Sequence, residues 1–290
     1  MTLPSQKAII TGAARGLGAV IAQSMWREGA DLLLIDRVAA PLNELRDRLA
    51  VTPAASQQQV HVFSADLTDP AVPQRVLDEA RRLWPRLDIL INNAGIQGPI
   101  GMIADNEWSA WRNTVQINLL APVELCKLSI GWMRETGGGR IVNLGGGGAA
   151  GLRPNFSAYA TAKCGLIKFT ETVAAEVAPL GIRMNCIAPG PMNTEMLQEI
   201  LRAGASQAGD REYQQVSKQV ATGATDPQIA ADLIVYLASE KSAGVTGKLI
   251  SAVWDPWRTL HERACDLRDS DIYTLRRIVP EDRGKGWPNA

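Results

Sequence analysis

Tyr159 and Lys163 stand four residues apart in Ser157-Ala158-Tyr159-Ala160-Thr161-Ala162-Lys163, a spacing that puts both on one face of a helix. A free phenol titrates near 10, too high for a base at neutral pH, but a neighbouring ammonium favours the phenolate. Such a tyrosine can take the proton of an alcohol or return it to a carbonyl oxygen. Taken alone, the pair is equally a packed tyrosine beside a surface lysine. Asn118 is a third marked residue, an amide inside the apolar run Val115-Gln116-Ile117-Asn118-Leu119-Leu120, where asparagine is a poor helix former and costly if unpartnered.

A second group of residues is suited to phosphate. The apolar run from Lys7 to Ile10 passes into Thr11-Gly12-Ala13-Ala14-Arg15-Gly16-Leu17-Gly18 and then into a helix pattern. Glycines in that position let the backbone turn tightly and approach a pyrophosphate, and the following helix N-terminus offers unpaired N–H groups. A glycine triplet alone is weak evidence, but one placed between a first strand and a first helix is much stronger. Asp36 ends the second apolar run about twenty residues on, where a carboxylate accepts hydrogen bonds from an adenosine ribose and repels a 2′-phosphate. That favours NAD. Arg15 and Arg37 are placed to grip a 2′-phosphate, so NADP is the alternative; Arg37 is also readable as an ordinary surface arginine.

Short apolar runs alternate with helix-length amphipathic stretches, the pattern of a parallel sheet covered on both faces. Expected strands are Lys7 to Ile10, Asp31 to Ile35, Val60 to Phe63, Leu87 to Ile91, Arg140 to Leu144, Arg183 to Ile187 and Lys248 to Ala252. Expected helices are Leu17 to Glu28, Leu42 to Leu49, Pro70 to Trp84, Trp108 to Glu135, Ser157 to Ala178 and Pro227 to Ala238. The fold class is therefore α/β, a Rossmann-type doubly wound, seven-stranded parallel sheet, with 1–253 as dinucleotide-binding and catalytic domain and 254–290 as an extension. Residues Asn193 to Thr225, polar and interrupted by Gly204 and Gly209, suit a short helix plus a mobile loop. In the tail, Asp255 and Pro256 suit an N-cap and first helical residue, with Trp257, Leu260, Ala264 and Leu267 at helical spacing.

Composition narrows the partners. Of 290 residues, 30 are Lys or Arg and 30 Asp or Glu, so no net positive field is available for nucleic acid. No apolar run is long enough to span a bilayer, and the N-terminus lacks the pattern of a signal peptide. The four cysteines stand far apart without metal-ligand spacing, so no metal is expected and the thiols read as buried or inert, in keeping with a reducing cytoplasm.

Four motifs in order, the TGxxxGxG spacing from Thr11, Asn92-Asn93-Ala94-Gly95, Tyr159-Ala160-Thr161-Ala162-Lys163 and Pro189-Gly190, resemble the short-chain dehydrogenase/reductase family over about residues 5–252. The resemblance implies an oxidoreductase that interconverts a secondary alcohol and a ketone with NAD(P). Tyr159 would be its acid/base, Lys163 would lower the phenol's pKa and hold the nicotinamide ribose, and Asn118 would organise a water linking the lysine to solvent; a buried structural amide is the other reading of Asn118. Gly12, Arg15, Gly16, Leu17, Gly18, Asp36 and Arg37 would line the cofactor. So would Asp66 and Leu67 near adenine, Asn92, Asn93, Ala94 and Gly95 along the nucleotide, and Ile187, Pro189, Gly190 and Thr194 near the carboxamide. A homodimer or homotetramer is implied, paired through the helices Trp108 to Glu135 and Ser157 to Ala178.

One position departs from the family. Its substrate-oxygen serine, thirteen residues before the tyrosine, is here Gly146 in Asn143-Leu144-Gly145-Gly146-Gly147-Gly148, and a comparable oxyanion donor is worth about 10²–10³ in rate. Consecutive glycine N–H groups could form a small anion-binding concavity in its place, or Asn155 or Ser157 could supply a side chain, unless Ser157 merely caps its helix. The remaining readings are a dinucleotide-binding regulatory or scaffold protein with little turnover, and an epimerase or dehydratase using transient oxidation. Substrate contacts are expected from the glycine loop, Leu152 to Phe156 and the segment from Met192. There Arg153 could meet an anionic or hydroxylated substrate or face solvent, and Met192 and Met196 could form an adaptable wall. Trp254, Trp257, Tyr273 and Arg276 or Arg277 are expected to cover the site's mouth or to form a plain structural tail.

Overall fold

The computed structural model describes residues 1–146 and 148–287. Its strands are β1 (Lys7–Thr11), β2 (Asp31–Asp36), β3 (Val60–Ser64), β4 (Ile89–Asn92), β5 (Gly139–Leu144), β6 (Ile182–Ala188) and β7 (Leu249–Ser251). They form one seven-stranded sheet in the order β3-β2-β1-β4-β5-β6-β7, parallel at every pairing. This is the Rossmann-type doubly wound sheet that the pattern predicts. Ile9 and Leu33 face one apolar layer while Ile10, Leu32 and Leu34 face the other, which is why these strands read as unbroken apolar runs.

The helices are α1 (Gly16–Arg27), α2 (Ala39–Ala50), α3 (Val72–Leu83), α4 (Trp108–Val115), α5 (Ala121–Glu135), α6 (Ser157–Val177), α7 (Glu195–Ala208), α8 (Asp210–Thr222), α9 (Pro227–Ala238) and the one-turn α10 (Ala264–Leu267). The single helix expected over Trp108 to Glu135 is interrupted by a π-helical segment, Gln116–Leu120. Asn118, fully buried there, donates from Nδ2 to the Ile96 carbonyl at 2.8 Å and accepts from the Ile96 amide at 2.9 Å, partners that a regular helical face need not have met.

The segment expected to be mostly loop is mostly helix. α7 and α8 are separated by Gly209 at φ +85°, and Gly204 at φ +73° breaks the helical course of α7. Leu197, Ile200, Ala208 and Val216 close over the fully buried ring of Phe156, a small separate core that ordered both helices. These apolar residues are too widely spaced among Gln, Ala and charged residues to stand out by periodicity.

Beyond β7 the tail docks. The Asp255 carboxylate accepts the Ser251 amide at 2.6 Å instead of capping a helix, and the next turns, Trp257–Arg263, are 3₁₀. Trp257 is only 4% exposed, donates to the Ala252 carbonyl at 3.0 Å and packs 5.8 Å from the Tyr236 ring of α9. Further on, the Tyr273 carbonyl accepts the Leu249 amide at 2.8 Å and Glu171 of α6 accepts the Leu275 amide at 2.6 Å, so the tail covers the otherwise free edge of β7.

Candidate functional site

The motifs converge because every one follows a strand, and parallel strands bring their C-terminal ends to one edge. Thr11 at the end of β1 ties two of them together: its hydroxyl accepts the amides of Asn93 and Ala94, both at 3.1 Å. Asn93 returns its side-chain amide to the carbonyls of Thr11 and Gly12 at 3.0 Å each. A Cβ on Gly18 would lie 2.0 Å from the Gly12 carbonyl oxygen, so α1 can start this close to β1 only with glycine there. Gly16 differs: its φ is +54° and a Cβ would meet nothing within 4 Å, so its backbone borders open space.

Asp36 is held at that opening by its own neighbours. One carboxylate oxygen accepts the Ala14 amide and the other the Val38 amide, each at 3.1 Å, leaving each a further lone pair for a ligand hydroxyl. Arg15 and Arg37 are exposed, and both act on Glu199 of α7, whose carboxyl is raised by burial while Arg202, Arg15 and Arg37 oppose the rise. Asp66 is exposed after β3 and Leu67 beside it is buried; Thr194 precedes α7, and Gly190, at φ +87°, lies against the Val253 side chain. The bare glycine turn, the helix start and the fixed carboxylate fit a dinucleotide's pyrophosphate and ribose.

Tyr159 and Lys163 share one face of α6, as their spacing predicts, and both are buried, at 8% and 3% exposure. Lys163 Nζ lies 5.8 Å from the centre of the Tyr159 ring and donates to the Leu144 carbonyl at 2.7 Å, fastening α6 to the end of β5. Burial pushes this lysine down to about 8. Burial also raises the phenol of Tyr159, and the positive charge of Arg153 opposes that rise. A Cβ on Gly95 would meet Asn118 Oδ1 at 3.1 Å and Lys163 Nζ and Met196 Cε at 3.6 Å, so Asn118, Lys163 and Met196 meet at one point of bare backbone.

Gly146 is vacant of side chain for a visible reason. A Cβ there would lie 2.3 Å from the Tyr159 hydroxyl oxygen, so the phenol leans into the space that a serine side chain would take. The expected row of free glycine amides is shorter than its sequence, because the Gly145 amide already donates to the Ile187 carbonyl at 2.8 Å; Gly147 lies outside the described residues. The two proposed side-chain substitutes have different surroundings. Ser157 Oγ accepts the Trp111 indole at 3.2 Å and makes no cap bond, and Asn155 sits at φ +70° with its amide beside Gly209.

Sequence reasoning missed the partner of Arg153. Its Nε and one terminal nitrogen donate to Glu212 of α8 at 3.0 and 2.7 Å, while the guanidinium carbon lies 4.0 Å from the ring centre of Phe156 and 5.4 Å from that of Tyr159. No sequence spacing marks a pair 59 residues apart. Met196 reaches the site as expected, whereas Met192 packs against the main core. Of the residues expected at the mouth, Trp257 is core and Arg276 pairs with Asp271 and Asp282 of its own tail; Trp254 is exposed.

A doubly wound parallel sheet with a glycine turn after β1, an acid after β2 and a buried Tyr-Lys pair beside β5 defines the class of dinucleotide-dependent oxidoreductases. The short chain dehydrogenase family model matches residues 6–204, and the chain belongs to that family. It is 30% identical to a D-beta-hydroxybutyrate dehydrogenase of Rhizobium meliloti, over 85% of this chain and 96% of that one. The carveol dehydrogenase of Mycobacterium avium, solved in complex with NAD, is 25% identical and superposes with a TM-score of 0.75 over 86% of this chain and 96% of its own. A Beutenbergia cavernae protein, assigned provisionally as an NAD(P) dependent gluconate 5-dehydrogenase and holding NADP at low occupancy, is 27% identical with a TM-score of 0.74 over 87% and 96%. The chain is an NAD(P)-dependent oxidoreductase.

Proposed function

We propose that the protein interconverts a secondary alcohol and a ketone, with NAD preferred, and that Tyr159 carries the proton. Supporting this is one observation above the others: the Tyr159 hydroxyl lies against the bare backbone of Gly146 while Lys163, one turn on, is anchored at the end of β5. Bound NAD(P) supplies the two-electron acceptor or donor for the carbon–hydrogen bond. During oxidation the Tyr159 phenolate accepts the alcohol's hydroxyl proton, and during reduction the phenol returns it to the carbonyl oxygen. Lys163 orients the ribose, and Asn118 holds the Ile96 backbone so that Gly95 stays close to the lysine. Gly12, Gly16, Leu17 and Gly18 with Asn93 and Ala94 cradle the nucleotide, Asp36 takes the adenosine ribose, Asp66 and Leu67 flank adenine, and Pro189, Gly190 and Thr194 border the carboxamide. The Asp36 carboxylate, held by the Ala14 and Val38 amides where the adenosine ribose would lie, disfavours a 2′-phosphate.

No helix among the described residues is long and apolar enough to cross a membrane. The cysteines Cys126, Cys164, Cys186 and Cys265 are all free, which suits the cytoplasm. Exposed Trp108 and Leu120, on α4 and just before α5, suit a homodimer or homotetramer paired through α4, α5 and α6.

A panel of secondary alcohols, from hydroxy acids to polyols and cyclic alcohols, offered with NAD and with NADP and followed by reduced-cofactor absorbance, tests this reading. Tyr159→Phe should abolish turnover while cofactor still binds, and Asp36→Ala should narrow the preference for NAD by about tenfold, the value of a lost hydrogen bond to a charged group. Turnover surviving in Tyr159→Phe, or a native preference for NADP, overturns the corresponding part.

A further inference from the structure

Arg153 is the one charged group of the site that the reading above leaves without a task. It belongs to the loop between β5 and α6, and its stem is packed: a Cβ on Gly148, at φ +85°, would lie 2.8 Å from Arg153 Cβ. Its guanidinium rests on Phe156, the buried centre of the small core that α7 and α8 close over. From there it lies over the ring of Tyr159 at 5.4 Å. Glu212, in the first turn of α8, takes two of its N–H groups on a single oxygen, so the guanidinium is fixed in direction and still has donors unassigned.

We propose that Arg153 is the positioning cation of Tyr159, held over the phenol by Glu212. The proposal rests on Tyr159 being the acid/base. Charged and titratable groups around the phenol come from four elements. Lys163 on α6 lies 5.8 Å from the ring centre while donating to the Leu144 carbonyl, Arg153 on the preceding loop lies 5.4 Å from it, Cys186 on β6 is a buried thiol pushed up to about 12, and Glu212 on α8 bears on the phenol through Arg153. A cation at this range favours the phenolate, and the carboxylate behind it reduces that effect without reversing it, because the guanidinium is the nearer charge.

The two partners have opposite signs toward the phenol, which separates this role from a scaffolding one. Tyrosinate absorbance titration, taken as the difference between each protein and its Tyr159→Phe counterpart, isolates this residue from the other three of the 4 tyrosines. Arg153→Gln should move the Tyr159 titration up by about one pH unit, the low end of the effect of a lost neighbouring charge, and the acid-side limb of kcat/KM for alcohol oxidation should move with it. Glu212→Gln, which keeps the hydrogen-bond acceptor and removes the charge, should move both down. Arg153→Lys should restore most of the native position. An unshifted titration in Arg153→Gln, or an upward shift in Glu212→Gln like that of a loosened loop, overturns the proposal. If Arg153→Gln does not fold, the near-isosteric Glu212→Gln decides by its direction alone. Turnover surviving in Tyr159→Phe would instead overturn the acid/base reading beneath it, an outcome the titration does not mimic.

Discussion

A methyl group at residue 146 would have to displace the phenol of Tyr159. The Cβ of Gly146→Ala would stand 2.3 Å from the hydroxyl oxygen and about 3 Å from two ring carbons, while ordinary contact begins at 3.4 Å, so roughly 1 Å must open between them. The phenol has little room to give, being 8% exposed with Arg153 over its ring. A misplacement of about 1 Å at a reacting group costs about 10²-fold, or roughly 2.7 kcal/mol of transition-state stabilisation. Gly146→Ser suffers the same displacement but adds a hydroxyl donor of the kind worth about 10²–10³-fold when well placed, so it should fall between alanine and the native residue. Steady-state kinetics on the best alcohol of the panel, with NAD affinity measured separately by binding, reads the effect: kcat falls while NAD binding holds. Native kcat in Gly146→Ala would refute the reasoning, because the phenol could not then work from the place it occupies here. A serine variant faster than the native enzyme would refute it differently, by showing that the loop had only lost a donor.

Three further outcomes follow from burial. Lys163 titrates at about 8 in the folded protein against an ordinary 10.5, so between those values the unfolded chain binds more protons and stability rises with pH; below about 8 the full penalty, about 3 kcal/mol, is present. Lys163→Met should therefore be more stable near neutral pH by chemical denaturation, with the gap closing toward pH 10, and a gap independent of pH would contradict this. Cys126 and Cys186 are buried with thiols pushed up to about 12, whereas Cys164 and Cys265 are exposed, so a thiol reagent should label two sites in the native protein and four only after unfolding. Trp257→Ala should cost about 3–5 kcal/mol, read as a lowered Tm, with KM unchanged; a changed KM at native stability would return the tail to the mouth of the site.

The sequence by itself determined the sheet and its catalytic edge. Continuous apolar runs at β1, β2, β4, β5 and β6 allow only strands covered on both faces, and residues such as Gly12, Asp36, Asn93, Tyr159 and Gly190 were placed by following those runs. Periodicity and spacing are local, and these signals lie within one strand-turn-helix unit each. What joins distant units was not legible. The Arg153–Glu212 pair, the core that α7 and α8 build on Phe156, and the tail laid along β7 depend on contacts between segments that no fixed spacing relates. Gly146 shows the division most sharply: its letter told that a hydroxyl was absent, and only the packed position of the Tyr159 ring supplied the reason, since a clash is a property of two side chains brought together in space.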